Sequence, residues 1–306
     1  MGIITTAAHP KALWPGVKVW WGKVYNEHPE EWPQLVDTMP SEQAYEEMVA
    51  DVGFELAPVK AQGAPIYYSA DQQGPVTKAV HITYALGYIV TLEERINNLY
   101  EKVSMTRASS NAFSMRQTKE NVVAGIYNRA FNSTYTGADG VSMCNSAHPR
   151  VTGGTWSNVP SVISDLSEDS LEDACIDIMG FANDRGMPIS IMPRKLLVSR
   201  YNFFNATRLL KSIQQPGTAN NDVNAIRVTG AIPDGCAVNH YFTSNNAWFL
   251  RTNVSSSAGG LTLFQRLAID FDQDNDFDTK NAKAASIEMY SVVWGDPRTI
   301  FGVNAP

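Results

Sequence analysis

Charge is the scarcest ingredient of this sequence. Asp, Glu, Lys and Arg make up 18% of its 306 residues, against the roughly 25% usual in soluble domains. A surface so thinly charged implies cover by something else. With 31 acidic against 24 basic residues the balance is −7, which argues against a protein that grips nucleic acid through its phosphates, because that mode needs a concentrated basic face. Cysteine is nearly absent: Cys144, Cys175 and Cys236 are the three in the chain. They are isolated and form no Cys-x-x-Cys pair, so neither a disulfide framework nor a structural zinc site is expected. They read as small buried apolar residues. No run approaches the roughly 18 apolar residues that span a bilayer, and no basic stretch followed by an apolar one opens the chain. The expectation is a protein kept in a cytoplasm, with no membrane partner.

Reaction signatures are missing too. There is no Gly-x-Ser-x-Gly elbow, Gly-x-Gly-x-x-Gly loop or Walker motif, the usual marks of nucleophilic or phosphate chemistry. His9, His28, His81, His148 and His240 are scattered, with none in a His-Glu-x-x-His pattern. The one cluster that looks like a metal site is Asp270-Phe271-Asp272-Gln273-Asp274-Asn275-Asp276-Phe277-Asp278. Counted from Asp270, a calcium loop needs glycine at its sixth place and a bidentate glutamate at its twelfth. Those places hold Asn275 and Asn281. The run therefore reads as a solvated acidic loop, and no catalytic residue, metal or cofactor is expected.

What is present is unusual in its order. The first fifty residues carry Pro10, Pro15, Pro29, Pro33 and Pro40 among Trp14, Trp20, Trp21 and Trp32. Prolines break long elements, while indole rings demand burial. The segment reads as an arm with a short helix near Pro15 to His28, laid across another surface, or else as an ordinary N-terminal subdomain. From Val76 to Val90 the even positions are mostly apolar, a period of two that predicts one long strand of about 50 Å. Upstream, Ile66 to Ser69 is a second β-prone run, and Asp71-Gln72-Gln73-Gly74-Pro75 has turn composition. The pair reads as a projecting hairpin with its tip near Gln73.

Thr91 and Glu94 then form the capping-box pattern that opens a helix. Leu92, Ile96, Leu99, Val103, Ala112, Met115, Val122, Ile126 and Ala130 recur at three- and four-residue spacing, with no proline between Pro75 and Pro149. The pattern predicts a helix to about Phe131, roughly 60 Å long. A compact chain of this size is only about 50 Å across. After a glycine-rich loop at Gly137 to Gly140 the texture becomes mixed: a helix over Ser167 to Asp184, a strand over Ile189 to Ser199 and a helix over Tyr201 to Ser212. Strands follow over Ala237 to Phe242, Ala247 to Arg251, Leu261 to Phe264 and Ala285 to Val293. The class is α+β.

Several stretches carry a family resemblance: Gly53-Phe54-Glu55-Leu56-Ala57-Pro58-Val59-Lys60, Gln72-Gln73-Gly74, His81-Ile82-Thr83-Tyr84-Ala85-Leu86-Gly87-Tyr88 and Asn97-Asn98-Leu99-Tyr100. Further along come Gly137-Ala138-Asp139-Gly140-Val141, Ala147-His148-Pro149 and Trp294-Gly295-Asp296-Pro297-Arg298. Spread over most of the chain and in order, they resemble the major head (capsid) protein family of Mu-like and related tailed phages and prophages. The resemblance implies the Hong Kong 97 type of capsid fold. On it, residues 1–52 would be the N-arm, 53–90 the extended E-loop hairpin and 91–133 the spine helix of the peripheral domain. Residues 134–251 would be the axial domain, and 252–306 the strands returning to the peripheral domain.

The same resemblance implies a non-enzymatic subunit that assembles with itself into hexamers, pentamers and an icosahedral shell around double-stranded DNA. Scaffold, portal and a decoration or cement protein would be its partners. Contacts would come from Trp14, Trp20, Trp21 and Trp32 of the arm, and from Tyr67, Tyr68, Asp71, Gln72, Gln73 and Lys78 of the E-loop. Some relatives cross-link an E-loop lysine to a neighbour's asparagine. Lys60 or Lys78 would be the donor here, but no acceptor or catalytic glutamate matches, so no cross-link is expected. An encapsulin-like cargo shell shares the fold and is the alternative; a metal-dependent hydrolase using the aspartate run is a further one.

Overall fold

The computed structural model describes residues 14–70, 72–96, 100–215 and 222–305. Their elements, in chain order, open with helix α1 (Trp14–Glu27) and strands β1 (Asp37–Pro40), β2 (Tyr45–Asp51), β3 (Gln73–Val80) and β4 (Ile82–Val90). Helices α2 (Leu92–Ile96) and α3 (Tyr100–Asn128), the two-residue strands β5 (His148–Pro149) and β6 (Thr155–Trp156), and helix α4 (Glu168–Met179) follow. Then come β7 (Pro193–Ser199), α5 (Phe203–Lys211), α6 (Ala225–Thr229), β8 (Cys236–Asn239) and β9 (Trp248–Thr252). The long strands β10 (Thr262–Asn275) and β11 (Ala282–Val293) precede the short β12 (Ile300–Val303).

Two four-stranded sheets organise the chain, in the orders β1-β10-β11-β4 and β12-β9-β7-β8. The first is mostly antiparallel, and its even-numbered β4 residues Tyr84, Tyr88 and Val90 face helices α1 and α3. The helices meet it through small residues, Ala108 and Ala112 of α3 and Ala282 and Ala284 of β11, so Val17, Trp21 and Tyr25 of α1 can wedge in beside Phe271. Those three α1 residues recur at i, i+4 and i+8, one buried stripe. The second sheet is apolar on both faces because β7 reads Leu196-Leu197-Val198, all fully buried. Leu197, Phe249 and Ile300 pack toward Val123 and Tyr127 of α3. Leu196, Val198, Trp248 and Phe301 pack toward α4, α5 and α6.

Helix α3 has 29 residues, hence a length of about 43 Å. It spans from the first core to the one it shares with the second sheet. Residues 97–99, where the predicted helix would join α2 to α3, lie outside the described residues. At the α2 start Thr91 accepts from the Glu94 amide at 3.3 Å as the capping pattern requires. The Glu94 carboxylate does not reach back, however; both its oxygens take Arg107 of α3, at 2.7 and 3.0 Å.

The predicted single strand from Val76 to Val90 is two strands on different partners. β3 pairs with β2, whereas β4 pairs with β11. The change falls at His81, whose ring bonds Ser41 Oγ at 2.9 Å and Ser291 Oγ at 3.1 Å. It also reverses the faces: Ala79 is the buried residue in β3, while Val76 and Val80 are exposed. The hairpin is accordingly β2–β3. Its connection, residues 52–72, holds the β-prone Ile66–Ser69 in no strand among the described residues, and its turn is at Gln62–Gly63. Gln73 is no tip; it stands opposite Asp51 in the ladder.

Three other expectations shift. The residues expected to form an N-arm include β1, which lies parallel to the start of β10. Among the residues expected to return to the peripheral domain, Ile300–Val303 pair with β9 of the second sheet. The acidic run is not a loop: Asp270 to Asn275 continue β10, and the turn covers residues 276–281. Asp270, Asp272 and Asp274 face outward while Phe271, 2% exposed, faces in. Period two explains the alternate aspartates without any ligand.

Candidate assembly surfaces

A shell contact needs apolar side chains that their own chain leaves uncovered. The four arm tryptophans divide on that criterion. Trp21 is 5% exposed, donates its indole N–H to Asn111 Oδ1 at 2.9 Å and stacks on Tyr25 and Phe271 with ring centroids 5.1 Å apart. Trp32 is buried beneath Lys119, whose Nζ sits 4.5 Å from its ring centre. Both therefore anchor α1 and the following turn to their own subunit, a role contrary to the expectation of contact with neighbours. Trp20 is 37% exposed and donates to Ser109 Oγ at 2.9 Å. With Val19, 73% exposed, it forms the outward face of α1. Trp14 begins the helix; its side chain lies outside the described residues.

The E-loop segment is the reverse case. Leu56, Val59, Ile66 and Tyr68 are from 64% to fully exposed, and Tyr67 is 58% exposed. Tyr67 donates its hydroxyl to Glu55 at 3.1 Å, and that carboxylate holds its pKa above the usual phenol value. Gln72, Gln73 and Lys78 are exposed, with the Lys78 ammonium 3.7 Å above the Tyr45 ring centre. Asp71 lies outside the described residues. Sequence reasoning missed the residue that organises this loop. Arg185 donates from Nε to Gly53 O at 2.9 Å, from another nitrogen to Ala70 O at 2.7 Å, and pairs with Glu55 at 3.1 Å. One guanidinium thus closes both legs of the loop at its base, and five rigid N–H donors suit it to that task. A lone arginine in a turn leaves no pattern by which a sequence could reveal it.

The glycine-, histidine- and tryptophan-bearing stretches far apart in sequence meet at one junction between the sheets. Gly137 lets the Trp294 indole come so close that a Cβ there would stand 2.9 Å from Nε1. Asp139 Oδ2 is 2.6 Å from His148 Nδ1, and His148 Nε2 is 3.0 Å from Asn158 Oδ1. Asn158, fully buried, donates to the carbonyls of Met143, Pro297 and Ile300. Trp156 stacks on His148 and carries the Arg298 guanidinium 4.5 Å from its ring centre. Arg298 in turn holds Asp184 at 2.8 Å and Asp296 at 3.3 Å. Burial pushes Asp296 up, and Arg298 opposes that shift. Both ring nitrogens of His148 are engaged within this network, so the arrangement ties the segments together.

The E-loop base reaches this junction, since Thr77 donates to the Trp294 carbonyl at 3.1 Å. Burial also raises the thiols, Cys175 and Cys236 to about 11 and Cys144 further. Among the described residues, no group of three or more His, Cys, Asp or Glu is placed to hold a metal ion. No helix among them is long and apolar enough to cross a membrane.

This combination defines a class. Two sheets are joined by a long helix, an extended loop is pinned at its base, and apolar surface is left outside; this is the Hong Kong 97 type of capsid fold. Solved structures agree. The capsid of Ralstonia phage GP4 superimposes with a TM-score of 0.55 at 9% identity, over 88% of this chain and 86% of that one. A Mycobacterium phage Patience chain gives 0.53 at 11% identity, over 99% and 89%. A virus-like particle from Pyrococcus furiosus gives 0.51 at 10% identity, over 95% and 99%. No curated protein matches the chain. A family model described as phage capsid protein matches residues 75–303, and the chain belongs to that family. It is a major capsid protein, and the virion shell is its place.

Proposed function

We propose that the chain assembles with itself into hexamers and pentamers of an icosahedral head that encloses the double-stranded DNA of a tailed phage or prophage. The observation that carries this is the E-loop: an apolar segment held at its base by Arg185 and uncovered by its own subunit. At about 25 cal/mol per Å², each 100 Å² that a neighbour covers is worth about 2.5 kcal/mol before association costs. Stability becomes collective. Residues 134–251 with Ile300–Val303 would form the axial domain, and α1, α3 and the first sheet the peripheral domain. Tyr67, Tyr68, Gln72, Gln73 and Lys78 of the E-loop and Trp20 of the arm would make the contacts. Assembly takes place in the host cytoplasm with scaffold and portal proteins, and a decoration protein binds the finished shell. The subunit has no catalytic role, and mature particles carry no covalent cross-link, so denaturing gels show monomer.

Negative-stain electron microscopy with native mass measurement tests the assembly, on protein made with and without its neighbouring head genes. Closed shells, or free pentamers and hexamers, are expected; a stable monomer in both preparations refutes the reading. A second chain, with residues 54–69 replaced by a short Gly-Ser link, keeps β2 and β3 and should fold but close no shells.

A further inference from the structure

Helices α4 and α5 pack on the same face of the second sheet, and Asn205 of α5 donates to the Leu166 carbonyl just before α4 at 2.6 Å. Their free faces carry opposite charge. On α4, Asp169, Asp173 and Asp177 recur at i, i+4 and i+8 and are all exposed, with Ile176 beside them 62% exposed. That spacing makes one stripe on a helix. On α5, Phe204, Arg208 and Lys211 recur at i, i+4 and i+7, also exposed. Arg227 of α6 donates to the Lys211 carbonyl at 2.8 Å, which brings a third cation to that face.

These charges do not meet within the chain. None of the three aspartates and none of the three cations forms an ion pair among the described residues. The acids instead repel one another: burial first and Asp173 second push Asp177 up, and burial, Glu172 and Asp169 do the same to Glu168. Five acids on a 12-residue helix with no cation against them are a standing cost that a partner of opposite sign removes. Each face also offers apolar cover, Ile176 on one and Phe204, 69% exposed, on the other.

We propose that the acidic face of α4 docks on the basic face of α5 and α6 of a second copy of this chain. Acidic and basic patches differ and lie on one molecule, so the contact is head-to-tail, and repetition generates a ring. The inference rests on the reading of the chain as a capsomer-forming subunit and names the surfaces that set capsomer order. Charge of one sign on each face also forbids two copies from meeting through like faces, since like-charge juxtaposition is costly.

The test uses three full-length variants and native mass spectrometry. The first is Asp169→Lys/Asp173→Lys/Asp177→Lys, the second Arg208→Glu/Lys211→Glu/Arg227→Glu, and the third carries all six changes. Each single-face variant, with the parent's circular dichroism, is expected to raise the concentration needed for rings more than about a hundredfold. The six-change chain should regain rings, because both faces are inverted together. A mixture of the two single-face variants should give even-numbered rings, hexamers included, without pentamers, since alternating partners cannot close an odd ring.

Single-face variants that form rings like the parent overturn the proposal. So does a folded six-change chain that stays as dissociated as its parts. Normal rings from the single-face variants that fail to close with the other head proteins would instead give the charged faces to one of those proteins. If the parent forms no rings either alone or with its neighbouring head proteins, the capsomer reading falls and the proposal with it.

Discussion

Replacing Lys119 by methionine isolates the ion pair that fastens the long helix to the long strand. Lys119 and Glu288 have side chains 6% and 2% exposed and stand 2.6 Å apart. Lys119 also donates to Gln265 Oε1 at 2.8 Å and lies over the Trp32 ring. Methionine refills the aliphatic stem, so the cavity contribution is small. What remains is a buried carboxylate whose one surviving side-chain donor among the described residues is Gln265 Nε2, 3.1 Å away. Breaking a buried pair on one side costs about 3–5 kcal/mol, and the lost cation–π contact adds about 1.

A total of about 4–6 kcal/mol is a large part of the roughly 5–15 kcal/mol that holds a domain together. Urea unfolding of the unassembled subunit, followed by tryptophan emission, should show a midpoint lowered by more than about 1 M. Glu288→Met alone should cost about 3 kcal/mol, for it strands the ammonium with Gln265. The double variant Lys119→Met/Glu288→Met removes both charges and should lie within about 2 kcal/mol of the parent. Single losses below about 1 kcal/mol, or a double variant showing the sum of both, would refute this account of the core.

Gly302→Ala is expected to destabilise by about 2–3 kcal/mol, because its Cβ would stand 2.5 Å from Cys144 Sγ and 3.0 Å from Phe131 Cζ; a thermal melt reads the loss. Arg185→Ala frees both legs of the E-loop, so trypsin should cut the folded subunit after Lys60 at least about tenfold faster at unchanged helix content. For the thiols, burial moves Cys175 and Cys236 to about 11 and Cys144 further. A raised thiol pKa means less thiolate, about one part in a thousand at pH 8, so a disulfide reagent should label none in the fold and all after urea unfolding. Labelling of Cys175 and Cys236 in the fold should rise about tenfold per pH unit toward pH 11, with Cys144 lagging behind.

How far the fold was legible in the sequence depended on whether a signal was local. Helix α1 was expected at Pro15 to His28 and runs from Trp14 to Glu27. The helix expected over Ser167 to Asp184 is α4, which Ser167 caps reciprocally with Ser170 and which ends earlier, at Met179. Period two between Val76 and Val90 foretold strand correctly but not its partner. Alternation is the same whether a strand pairs with β2 or β11, so the switch at His81 left no trace, and neither did the reversal of faces it causes. The acidic run misled for a related reason: alternate aspartates on an exposed strand face and the start of a calcium loop share a spacing.

The contact residues show the deeper limit. Four tryptophans looked alike in sequence because a ring announces a need for burial without saying in what. Trp21 finds Asn111, 90 residues away, and Trp32 finds Lys119. Once those partners are known, the indoles that seemed to reach for a neighbour become the pins that hold α1 down. On the proposed reading, the work of reaching outward then falls to surfaces that the described residues leave exposed: Trp20 and Val19 on the arm, the loop beyond Arg185, and the oppositely charged faces of α4 and α5. A shell subunit is legible in its sequence where it packs on itself, and becomes legible at its contacts only when the structure shows which surfaces the chain leaves unused.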